Sequence, residues 1–115
     1  MTPESDLGVR RHVNAYLNVP VYKAFQKWLG REEVLAPMWQ AWDKGDRKGA
    51  VAAVPEAVMN NLVLRGSAEE LRAHVLRYMD AGVDTAFLQL HSFEPDVAKR
   101  RESALRVLRA LAPGM

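Results

Sequence analysis

The eight residues Val83 to Leu90, VDTAFLQL, place apolar side chains on both parities of an extended chain, so a strand formed here must be covered on both faces. It must also find neighbours for its backbone N–H and C=O groups. The approach to it is strongly patterned. Ser67 and Glu70 make an S-x-x-E capping box, Leu71, Val75, Tyr78 and Met79 recur on one helical face, and Gly82 supplies a left-handed stop. A capped helix leading into a doubly covered strand is one step of a parallel α/β architecture. Elsewhere in the 115 residues the only other apolar run that reads as extended is Leu62-Val63-Leu64.

The remainder reads as helix. Thr2 and Pro3 can cap and open a first helix whose inward face is Val9, Val13, Tyr16 and Leu17, interrupted by Asn18 and Pro20. Pro20 opens a second helix, in which Val21, Ala24, Phe25, Trp28 and Leu29 form a full i, i+3, i+4, i+7, i+8 stripe before Gly30 ends it. From Arg31 to Asp43 the stripe continues through Leu35, Met38, Trp39 and Trp42, with Pro37 in a first turn or at a kink. Asp46 is an N-cap for a short helix that Pro55 ends, and another helix spans about Glu56 to Leu62. Pro95 to Ala112 is a last helix with Val97, Ala104, Leu108 and Leu111 inward, closed by Pro113-Gly114. The expected fold is therefore mostly α with one or two short strands, in a single domain over residues 1–115.

Composition narrows the class. Apolar residues are 49% and charged residues 26% of the chain, as in globular domains, and a formal charge of +2 is too small and too scattered to point to nucleic acid. With no cysteine there is neither disulfide nor thiolate chemistry, and the start MTPESDLGVRR has no apolar leader. No apolar run approaches the roughly 20 residues of a membrane span. A cytoplasmic chain without membrane or nucleic-acid partners is the expectation.

The segments Tyr16-Leu17-Asn18-Val19-Pro20-Val21-Tyr22, Phe25 to Gly30, Gly66-Ser67-Ala68-Glu69-Glu70-Leu71 and Tyr78-x-x-Ala81-Gly82-Val83-Asp84-Thr85 together resemble the C-terminal part of luciferase-like monooxygenases, particularly the branch of F420-dependent oxidoreductases. The resemblance covers nearly the whole chain. It implies a partial (β/α)8 TIM-barrel: residues 1–62 as a helical insertion, and 63–115 as the last helix-strand-helix unit with Val83 to Leu90 as the final strand. It also implies F420 or FMN as cofactor, bound at the C-terminal ends of the strands. A barrel of this kind needs roughly 250 residues, so this chain resembles only its tail. No cofactor is expected to bind tightly to the chain alone, and no catalytic or cofactor-binding residue carries over.

His91 falls just past the end of the expected strand, where barrel enzymes place active-site groups, and Gln89, Ser92 and Phe93 share that location. A loop histidine is the competing account. Tyr16 and Tyr22 flank the Pro20 break and are pocket candidates, whereas the helical spacing of Phe25, Trp28, Trp39 and Trp42 favours core packing. His12, His74 and His91 do not share metal-ligand spacing, so no metal site is expected. Glu69-Glu70 is explained by the cap and the helix dipole, and Glu32-Glu33 in the same way. Gly45-Asp46-Arg47-Lys48-Gly49 reads as a helix-to-helix turn rather than a phosphate loop. Lys99, Arg100, Arg101, Arg106 and Arg109 give the last helix a basic surface that is ordinarily solvated.

Two readings follow. In the first the chain is the C-terminal segment of a flavin- or F420-dependent oxidoreductase, inactive alone. In the second it is a non-enzymatic helical module that self-associates, as a homo-oligomer, or binds the remainder of a split barrel through its orphan strand.

Overall fold

The computed structural model describes residues 3–112 and divides them into two compact units, 3–63 and 64–112. The first contains α1 (Pro3–Leu17), α2 (Pro20–Trp28), α3 (Glu32–Asp43), α4 (Arg47–Ala52) and α5 (Glu56–Leu62); the second contains α6 (Ala68–Asp80) and α7 (Val97–Leu111). No helix among the described residues is long and apolar enough to cross a membrane.

Local chemistry sets most of these boundaries. Pro20 occupies the first turn of α2, where its missing N–H costs nothing, and Gly30 follows the helix at φ 83°. Asp46 caps α4 by accepting the Gly49 N–H at 2.9 Å. The Ser67–Glu70 box is closed in both directions, at 3.1 and 2.8 Å, and Gly82 after α6 has φ 113°. α7 begins at Val97 rather than at the expected Pro95, with Asp96 as its N-cap. Pro37 lies inside α3 without ending it; Pro37 and the Glu33 carbonyl it deprives of a donor both belong to solvent-exposed residues, where water can serve instead. The expected cap at Thr2 and stop at Pro113-Gly114 lie outside the described residues.

The core of the first unit is the stripe Val9, Val13 and Leu17 of α1 set against Leu35, Met38 and Trp39 of α3, with Ala50, Val54, Val58 and Met59 closing it from α4, α5 and their junction. Side chains then tie helix ends to this core. The Trp39 indole N–H donates to the Leu17 carbonyl at 3.1 Å, satisfying a buried acceptor at the end of α1. Arg10 donates to Asp6 at 2.9 Å and to the Val54 carbonyl at 2.6 Å, joining α1 to the junction between α4 and α5. Asn14, buried, accepts from the Asn18 amide at 3.0 Å.

One helix is oriented against expectation. The stripe of α2 does not face the core: Trp28 is 79% and Val21 66% exposed, with Phe25 and Leu29 also exposed, while Gln26 is only 2% exposed. Its amide oxygen accepts from Arg31 at 2.7 Å, so the buried polar group is satisfied. Trp39 is core as expected, but Phe25 and Trp28 are not.

In the second unit α6 and α7 pack together, and Arg72 donates to the Ala110 and Ala112 carbonyls at 2.9 and 3.2 Å, capping the end of α7. Neither helix buries a residue fully, and Val97 and Leu108, expected inward, are exposed. The two expected strands are corrected here. Among the described residues there is no strand: Leu62 completes α5, Val63 is a single extended residue at φ −130° and ψ 123°, and Val83 to Leu90 is irregular. The reason is the missing ladder. After the Val83 N–H donates back to the Tyr78 carbonyl at 3.2 Å, residues 84–90 make no backbone–backbone hydrogen bond among the described residues.

Trp39→Phe removes the donor to a buried carbonyl and is expected to lower stability by about 1–3 kcal/mol in urea unfolding. Trp28→Phe on the exposed stripe should stay within about 0.5 kcal/mol. Equal effects would contradict the assignment of Trp39 as the tie between α1 and α3.

Candidate functional site

The break between α1 and α2 creates an open concavity in the first unit. Asn18 and Pro20 turn the chain, α2 contributes Lys23, Ala24 and Lys27, and the end of α3 contributes Trp42 and Asp43, enclosing a recess of about 330 Å³. Both lysines lie over the buried Trp39 ring, with ammonium groups 5.1 and 5.9 Å from its centroid. Lys27 is also 3.6 Å from Glu32. Arg47 covers Trp42 at 3.7 Å from the ring centroid and donates to the Trp42 carbonyl at 3.3 Å. The recess thus offers two ammonium groups, one amide, one carboxylate and an indole. Its lining contains no Ser, Cys or His.

Sequence reasoning did not single out the lysines. Their spacing of four residues places them on one face, but the ring beneath them comes from α3, and no local pattern announces it. Trp42, expected in the core, is partly buried against it and also lines this recess.

Tyr16 and Tyr22 do not line it. They stack across the Pro20 break with ring centroids 4.1 Å apart and planes 12° from parallel. The hydrogen bond with Tyr22, partial burial and the Tyr22 charge together raise the Tyr16 phenol above its ordinary value of 10.0. Because the neutral phenol is the form favoured in the folded state, this contribution to stability is complete below pH 10 and is lost as pH rises through the elevated value. Both rings are partly exposed.

His91 lies in the exposed segment between α6 and α7, at the end of residues 84–90. Nearby, the Ser92 hydroxyl accepts the Glu94 N–H at 3.4 Å. Gln89 is exposed, as is Phe93. His12 is on α1, and His74 is on α6 with its ring centroid 6.2 Å from that of Tyr78. Among the described residues no group of three or more His, Cys, Asp or Glu could hold a metal ion. The Gly45–Gly49 turn directs Asp46 onto the Gly49 N–H. The helix start that would receive a phosphate is therefore already capped. Glu70 is likewise engaged in its capping box. Lys99, Arg100, Arg101, Arg106 and Arg109 are all exposed along α7.

Comparison with known proteins gives one match. The family model described as luciferase-like monooxygenase matches residues 3–85, well over half of the chain, from the first turn of α1 through α6 to the start of the irregular segment. No curated protein and no solved structure matches.

Tyr22→Phe removes the hydroxyl that holds the Tyr16 phenol un-ionised. In a spectrophotometric titration of phenolate absorbance the Tyr16 midpoint should fall toward 10. An unchanged midpoint would show that the stacked pair is not coupled through its hydroxyl groups.

Proposed function

This chain belongs to the luciferase-like monooxygenase family, and from that premise we propose that it is the C-terminal part of a flavin- or F420-dependent oxidoreductase that transfers no hydride by itself. The observation that carries the reading is the state of residues 84–90. They follow a capped helix and a glycine stop, as a barrel strand does, yet they make no backbone–backbone hydrogen bond among the described residues, and Phe87 is 96% exposed. Burying Phe87 is worth roughly 1.5–3 kcal/mol. Burying the backbone without a ladder would cost about 1–3 kcal/mol for each unsatisfied group. Only neighbouring strands satisfy both requirements, and the proposed partner is the remainder of the barrel, which brings them.

The same observation bears on the cofactor. In a barrel, the catalytic face is assembled from loops at the C-terminal ends of several strands. Here the residues at that place, Gln89 and His91, stand on an exposed segment, and the recess of about 330 Å³ belongs to helices of the other unit. That volume is at the lower limit for a small-molecule pocket. The residues present therefore do not fit an FMN or F420 ring, and no step of hydride transfer is assigned to them.

Titration of the purified chain with FMN and with F420, followed by fluorescence, tests the proposal. Neither cofactor should bind stoichiometrically, and no oxidoreductase turnover should appear. Tight stoichiometric binding of either would contradict the reading.

A further inference from the structure

We infer that Tyr16 and Tyr22 form a site of oxidative modification, at which a one-electron oxidant links the two rings through a carbon–carbon bond as an intramolecular dityrosine. The inference is independent of the barrel reading, because both residues lie in the first unit and no cofactor takes part. The sequence contains three tyrosines. Tyr16 is in the last turn of α1 and Tyr22 in the first turn of α2, and the bend through Asn18 and Pro20 lays one ring on the other, with centroids 4.1 Å apart and planes 12° from parallel. Tyr78 stands on α6 in the other unit, where its ring neighbour is His74.

At this separation the facing ring carbons are near van der Waals contact, about 3.5–4.0 Å. The hydrogen bond between the two hydroxyl groups sets both oxygens at the same end of the stack, so the Cε carbons beside them lie near one another. These are the reactive positions: a phenoxyl radical spreads its unpaired spin from oxygen to the ortho and para carbons, and the para carbon is occupied by the Cβ stem. Tyr16 is 47% and Tyr22 37% exposed, so a dissolved oxidant reaches both, and the rings have room to turn out of the parallel stack as the bond forms. Holding the two radicals side by side replaces an encounter between molecules by an event within one.

Each phenol gives up one electron to the oxidant and its hydroxyl proton to water. The two phenoxyl radicals then pair their unpaired electrons in a Cε–Cε bond. Each bonded carbon sheds its hydrogen as a proton while its oxygen takes a proton back, which restores two phenols and leaves a product lacking two hydrogen atoms. Peroxodisulfate, receiving the two electrons, becomes two sulfate ions, and the two protons stay with the solvent. The chain has no cysteine and so no disulfide; the biaryl bond gives it a covalent tie between the end of α1 and the start of α2 across Pro20.

The test is brief photo-oxidation of the full chain by a tris-bipyridyl ruthenium complex with peroxodisulfate, read by dityrosine fluorescence and by mass spectrometry of tryptic peptides. Trypsin leaves residues 12–23, HVNAYLNVPVYK, as one peptide holding both tyrosines, so the internal link appears as that peptide two hydrogen atoms lighter. Its yield should not change on about tenfold dilution, since the reaction is intramolecular. Tyr16→Phe and Tyr22→Phe, with helical content checked by circular dichroism, should each lower the fluorescence of dilute protein by about tenfold or more, whereas Tyr78→Phe should leave it unchanged. In concentrated urea, where the stack is lost, the yield of the lighter peptide should fall by about fivefold or more. Absence of that peptide from the oxidised wild-type chain overturns the inference, as does dityrosine confined to covalent dimers. Equal yields from folded and unfolded chain would show that nearness in sequence suffices, and would overturn it as well.

Discussion

The hydrogen bond from the Trp39 indole to the Leu17 carbonyl fixes the arrangement of the first unit. α1 ends at Leu17, with its last carbonyls lacking helical partners, and the chain must turn within two residues because Pro20 begins another helix. A buried carbonyl at that turn requires a donor, and only a side chain from a distant helix provides it. Trp39 does so while filling the space between Val13, Leu17, Leu35 and Met38. Its ring face is then available from the side of α2, where Lys23 and Lys27 lie across it. The aliphatic stems of the two lysines can cover the indole while their ammonium groups remain hydrated.

That arrangement decides how α2 is rotated. With the lysines over Trp39 and Gln26 hydrogen-bonded to Arg31 beneath the helix, the apolar stripe is directed away from the core. The core is completed instead by small and flexible residues, Ala50, Val54, Val58 and Met59. The second unit shows a related imbalance. α6 and α7 are well capped at their starts and joined by Arg72, but neither buries a residue fully, and the segment between them is apolar and exposed. Each unit thus leaves large apolar side chains exposed.

Helix positions were legible because they are written in single residues with local consequences. Pro20 at a helix start, Asp46 and Ser67–Glu70 at N-termini and Gly30 and Gly82 after C-termini act within one turn of the chain. Which way a helix faces was not legible in the same way. The stripe of α2 shows which side is apolar, but not whether the surface that covers it belongs to the same chain. Val83 to Leu90 poses the same problem, since its composition favours a strand and strand formation depends on a neighbour's hydrogen bonds. The recess was hidden for a third reason: its lysines belong to α2 and the indole under them to α3, and only the fold of the unit brings them together. The family resemblance rests on the turn and cap residues from Tyr16 to Thr85, which lie within residues 3–85 that the family model matches.

Amide hydrogen exchange across residues 84–90 tests the central claim most directly, that this apolar segment of a luciferase-like chain has no backbone ladder. In the chain alone these amides should exchange at nearly the rate of an unstructured peptide, while those of α1 and α3 around Trp39 are protected. Protection of 84–90 comparable with that of α1 and α3 would mean that the segment already has a ladder, and would contradict the account.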